Sequence, residues 1–200
     1  MRKWIRFNEL PRRFLRAYKR NIAASPSFSE NRAENGVLIF QEGGSFPELR
    51  FRRVKMSNVC CEIMAAHNAM KLSGQEVDFL KLAAEFERNG AIPAIPPGAF
   101  GNSPFSIGRC FSAYGAEFTK CRTLAEFEAA LAAGKVGVLS YKFKGLDPRV
   151  HAFTAQRSPD GSGIIAYNRF SNDREPRNYS SVAEAIKGKI FLVGYVTSPK

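Results

Sequence analysis

A cysteine acts as a nucleophile when a neighbouring base can take its proton, and histidine is a frequent base. The chain has four cysteines and only two histidines, His67 and His151, so the search for a pair is short. His67 follows Cys60 by seven residues and Cys61 by six. All three fall in SNVCCEIMAAHNAMKLSG, a stretch with the Ala/Met-rich interior and closing Gly74 of a helix. Seven helical residues rise about 10.5 Å, far beyond the ~3 Å contact that a thiol–imidazole pair needs. His67 therefore serves neither thiol and reads as a hydrogen-bonded structural residue. That leaves His151.

His151 begins the strand-like run VHAFTAQR, which the turn sequence SPDGSG joins to IIAYNRF. With the turn centred near Asp160 and Gly161, His151 lies opposite Phe170 and Asn168 lies opposite Phe153. Side chains alternate along a strand, so His151 and Asn168 sit diagonally on one face, within reach of each other. The Asn168 amide is then placed to accept from one ring nitrogen and leave the other facing a thiol, the part of an orienting third residue. Cys60 and Cys61 both fall in the first turn of their helix, with Ser57 or Asn58 as its cap. There the helix dipole and an imidazolium would both favour thiolate, and free backbone N–H groups would stabilise an oxyanion. If Cys61 and His151 form an ion pair, the thiol should react well below its ordinary pKa of about 8.5. Cys110 and Cys121 read as core or boundary residues.

The elements that must hold these groups fall into two blocks. After a hairpin expected from GVLIFQ and ELRFRRV come four helical stretches: the cysteine helix, VDFLKLAAEFERNG, SPFSIGRCFSAYG with Pro104 at its first position, and TLAEFEAALAAG. Then the period changes to that of strands in VGVLSYKF, VHAFTAQR, GIIAYNRF and KIFLVGYV, with the short helix SVAEAIKG before the last. Helices first and antiparallel strands after define an α+β domain.

Composition bounds the rest. Two hundred residues, 44% hydrophobic, suit one globular domain. Residues 36–200 are assigned to that domain. Residues 1–35 are assigned to a basic amphipathic helix, kinked near Pro11, and a polar linker at 23–36. The net charge is +12, with 13 Lys/Arg against 5 Asp/Glu in residues 1–55 and 17 against 13 in the remainder. No zinc-knuckle spacing, RNP-like strand or basic recognition helix accompanies it, so nucleic acid is not the expected partner. Docking to an acidic protein or an anionic surface is. No run approaches the ~20 apolar residues of a membrane span, and the N-terminus lacks the apolar core of a Sec signal. The default expectation is a reducing, cytoplasmic setting, with delivery as an effector or toxin left open. The chemistry requires no metal and no cofactor.

CCEIMAAHNAM, FGNSPFSIGRCFSAYG and HAFTAQ…IIAYN together resemble bacterial papain-like peptidases related to the double-glycine, bacteriocin-leader-processing type, over about residues 55–197. The resemblance implies a papain-like fold, with a helical lobe whose nucleophile helix packs on a C-terminal antiparallel sheet. It also implies hydrolysis of peptide or protein amides through an acyl-enzyme. Carried over, Cys61 is the nucleophile because Glu62-Ile63 follows it, with Cys60 as runner-up; His151 is the base and Asn168 the orienting residue. The family places an oxyanion-hole Gln several residues before the cysteine. Here Lys55, Met56, Ser57 and Asn58 fill that stretch, which makes Asn58 or the more distant Gln41 the candidates. Gly43-Gly44, followed by Ser45, matches a double-glycine cleavage site in form, although a Gly-Gly between strands is ordinary turn chemistry. The same three catalytic residues would also support a protein-modifying acyltransferase or deamidase, and the fold alone a catalytically weak binding module.

Overall fold

A computed structural model describes residues 19–22, 36–43, 46–51, 54–89, 102–145, 147 and 149–199. Among them the chain is α+β, and its centre is a six-stranded antiparallel sheet. In chain order the elements are β1 (Arg50–Phe51), β2 (Val54–Lys55), α1 (Cys61–Leu72), α2 (Phe79–Asn89), α3 (Ile107–Ala113), β3 (Thr119–Cys121), α4 (Leu124–Ala132), β4 (Val136–Phe143), β5 (Val150–Arg157), β6 (Ile164–Tyr167), β7 (Arg177–Tyr179), α5 (Val182–Ala185) and β8 (Lys189–Thr197). β1 and β2 pair with each other, and the large sheet runs β3-β8-β4-β5-β6-β7.

The helices begin and end for local reasons. Gly74 takes φ 77° after α1, and the N–H of Gln75 reaches back to the Met70 carbonyl, a closure that glycine makes without strain. Thr123 and Ser181 accept from the N–H groups of Glu126 and Glu184 at the starts of α4 and α5. The two glutamates return the bond to the N–H groups of Arg122 and Ser180, two capping boxes.

Period-two alternation gives the sheet two apolar faces. Val138, Ala152, Val193 and Tyr195 face a core shared with α1, α2 and α3. Leu139, Tyr141, Phe153, Ala155 and Val196 face a second core built with α4 and α5. Thr154 on the first face donates to the Ala65 carbonyl of α1 at 2.8 Å, so the cysteine helix lies directly on β5. On the second face Phe127 of α4 rests where Gly137 and Gly194 lie; a Cβ at either would come within 2.4 Å of its ring.

Several expectations are revised. GVLIFQ and ELRFRRV do not form one hairpin. Residues 37–41 run beside α1 instead, because Asn68 accepts from the Leu38 N–H at 2.7 Å and donates to the Leu38 carbonyl at 2.8 Å. A side-chain amide thus does the work of a neighbouring strand. Ser57 and Asn58 lie in a 3-10 turn and do not cap α1; its N-cap is Cys60, with no side-chain hydrogen bond. The short strands β3 and β7 carry no alternation long enough to read in sequence. The amphipathic helix expected in residues 1–35 lies mostly outside the described residues. Residues 19–22 are helical, and the Asn21 amide exchanges two hydrogen bonds with the Arg50 backbone at 2.9 and 3.0 Å. Contacts therefore cross the boundary expected at residue 35. No helix among the described residues is long and apolar enough to cross a membrane.

Candidate active site

Helix α1 begins at Cys61, and the cysteine pair divides there. Cys60 is fully buried in the core against Ile63 and Met64, whereas Cys61 keeps 6% exposure and lies outside that cluster. No side chain caps the helix, so none competes for the N–H groups of its first turn. None of the four cysteines is in a disulfide.

β6 pairs with β5 only from Thr154↔Tyr167 onward. Beyond that point the ladder pairing stops among the described residues, and the Ala152 backbone is near enough to the Cys61 sulfur to favour its thiolate. The expected register holds over the paired residues, from Thr154↔Tyr167 to Arg157↔Ile164, but the strand ends at Tyr167 and the expected pairs of Asn168 with Phe153 and Phe170 with His151 are not formed. Asn168, however, leaves the strand with φ 57°, a left-handed conformation that Asn adopts more readily than most residues. That turn points its carbonyl at His151, whose Nε2 lies 2.8 Å away. A carbonyl only accepts, so Nε2 carries the hydrogen and Nδ1 is left as a bare acceptor. The orienting residue is the expected one, but the orienting group is its main chain and not its side-chain amide.

The Asn168 side chain does something else. Its Nδ2 donates to Gln41 Oε1 at 3.3 Å, while its Oδ1 is buried with no hydrogen-bond partner among the described residues. Gln41 in turn spends one amide hydrogen on the Ser57 carbonyl at 2.7 Å, just before the cysteine helix. The structure thus brings Gln41 to the site across 127 residues from Asn168. Asn58 is exposed, and its Oδ1 accepts only from Ser57 Oγ, at 3.4 Å. Of the two oxyanion candidates Gln41 is the one joined to the site. Gly43 closes a turn onto the Phe40 carbonyl, while Gly44 and Ser45 of the double-glycine sequence lie outside the described residues. His67 is buried on α1, with its ring edge-on to Phe79 and Nδ1 3.2 Å from Asn68 Oδ1, a structural role.

Three further residues shape the site without having been singled out for it. Glu62 is buried beside Cys61, whose Sγ donates to its Oε2 at 2.9 Å. Tyr141 of β4 pairs with His151 and packs its ring 5.7 Å from the imidazole. Arg169 is buried over Tyr141 and donates to its hydroxyl and to the Ala185 carbonyl. The burial of Glu62 comes from packing between distant parts of the chain, which no local sequence pattern reports.

These surroundings disfavour a Cys61–His151 ion pair. Burial pushes the Cys61 thiol well up, and the charge of Glu62 adds to the effect, outweighing the Ala152 peptide. Burial lowers His151 to about 4, partly opposed by the Asn168 carbonyl. Burial also raises Glu62 to about 7. Near neutral pH the pair is a thiol and a neutral imidazole, because charging both would put two ions into a buried site. Cys61 and His151 share no hydrogen bond in this arrangement: the thiol donates to Glu62 and the imidazole to Asn168. No cluster of three or more metal-ligating side chains occurs among the described residues. The chain matches no protein-family model, and comparison with curated proteins and with solved structures finds no match.

Proposed function

We propose that this chain is a papain-type cysteine hydrolase that cleaves peptide or protein amide bonds. One observation carries the reading: the Asn168 carbonyl holds His151 Nε2–H and leaves Nδ1 free as a base, on the strand whose Ala152 backbone influences the Cys61 thiol. In this mechanism Nδ1 takes the thiol proton as sulfur bonds to the substrate carbonyl carbon. The C–N bond then breaks, the imidazolium returns the proton to the leaving amine, and water hydrolyses the thioester. The uncapped first turn of α1 and the second amide hydrogen of Gln41 are the oxyanion donors. The basic residues 1–20 would recruit an acidic partner or an anionic surface.

One observation favours a second reading, a catalytically quiet binding module: the thiol is engaged by Glu62 and not by His151. Incubation with a fluorogenic peptide library and with the epoxide probe E-64, followed by peptide mass spectrometry, separates the two. The hydrolase reading expects adduct on Cys61, hydrolysis lost in Cys61→Ala and hydrolysis largely kept in Cys60→Ala. Absence of both adduct and hydrolysis supports the binding module. Hydrolysis that survives Cys61→Ala but not Cys60→Ala assigns the wrong thiol.

A further inference from the structure

Glu62 has a buried carboxylate next to a buried thiol. It takes part in none of the ion pairs found among the described residues. Its Oε2 receives the Cys61 S–H at 2.9 Å. The other titratable groups at that end of α1 are the Cys60 thiol, Tyr141 from β4 and His151 from β5. Burial pushes the Tyr141 phenol up to about 12, so it is neutral near pH 7, and His151 is also neutral there. The nearby cation, Arg169, is turned toward Tyr141 and the Ala185 carbonyl. Within this set Glu62 is the one group placed to change charge beside the sulfur near neutrality.

We propose that Glu62 is a positioning residue that controls the reactivity of Cys61 by sharing its proton. An ionised Glu62 places one negative charge against the sulfur, and a second charge on the thiolate is then strongly opposed at this distance in a water-poor site. The thiol stays protonated and is held toward Oε2. A neutral Glu62 removes the repulsion and leaves only a weaker, uncharged acceptor, which frees the thiol for His151. Thiol and carboxylate titrate as a coupled pair, so the thiolate population climbs with pH only until Glu62 ionises, and then levels. The bearing of this on catalysis rests on Cys61 being the nucleophile.

The test is the rate of iodoacetamide alkylation at Cys61, read by peptide mass spectrometry on the full chain between pH 5 and 9. The wild-type rate should rise to about pH 7, where Glu62 titrates, and then flatten. In Glu62→Gln it should continue to rise, reaching about 10- to 100-fold over wild type at pH 9. Superimposable profiles, or a slower Glu62→Gln protein, overturn the proposal. Should Glu62→Gln fail to fold, the wild-type profile decides alone, since an unbroken rise through pH 9 is equally fatal. His151→Ala must keep the flattening; its loss would assign the titration to the imidazole. Alkylation needs no substrate. A flattened profile in a protein that hydrolyses nothing would defeat the hydrolase reading and leave this one standing.

Discussion

At the scale of single residues, the site depends on one carbonyl. Asn168 orients His151 through its main chain, and what its side chain supplies locally is tolerance of φ 57° and a link to Gln41. Glycine adopts that backbone conformation freely, whereas alanine is strained in it by about 1 kcal/mol. Under the proposed hydrolase function, Asn168→Gly should therefore keep peptide hydrolysis within about tenfold of wild type, while His151→Ala should lose the general acid–base contribution of about 10²- to 10⁴-fold. Steady-state kinetics on the two variants checks this. A Gly variant as inactive as the His151 variant would return the orienting role to the side-chain amide.

At the scale of elements, α1 organises the site from both ends of its buried face. Its N-terminus carries Cys61, hydrogen-bonded to Glu62. Two turns further on, Asn68 binds both backbone groups of Leu38 and so fixes the segment that carries Gln41. Asn68→Ala would leave a buried N–H and a buried carbonyl without partners, at a cost of about 2–4 kcal/mol. Urea denaturation should register that loss. Gln41, three residues downstream of the broken tether, should lose its register, and kcat should fall more than KM changes. A destabilised variant with unchanged kcat would show that Gln41 is not needed in place.

At the scale of the whole molecule, two buried groups set the pH dependence of stability in opposite directions. His151 is lowered from 6.5 to about 4 in the folded chain. The unfolded chain binds the extra proton in that window, so this contribution is complete above pH 6.5 and disappears as pH falls toward 4. Glu62 is raised from 4.5 to about 7. The folded chain binds the extra proton there, so its contribution is complete below pH 4.5 and disappears as pH rises through 7. Each amounts to about 3 kcal/mol, and over their shared range they largely cancel. Glu62→Gln removes one side of the balance. Relative to wild type, its unfolding free energy should therefore gain about 3 kcal/mol between pH 4.5 and 7. Chemical denaturation at the two pH values measures this difference directly. A gap that does not change with pH would mean that Glu62 ionises as freely folded as unfolded.

What the sequence determined by itself is what local chemistry can encode. Gly74, Pro104 and the alternation of VHAFTAQR and IIAY specify helix ends, strand faces and the register of the β5–β6 hairpin. Two histidines, one of them excluded by helical rise, leave a single candidate base, His151. The order of helices and strands carries the α+β class. Only the tertiary structure decided which atoms do the work, since burial and hydrogen-bond partners are made between distant parts of the chain. Asn168 acts through a carbonyl because β6 ends in a left-handed turn. Gln41 enters the site because Asn68, 27 positions later in the sequence, substitutes for a strand. Glu62 governs the charge beside Cys61 because packing removes both residues from water, and desolvation then outweighs the helix dipole that local reasoning had favoured.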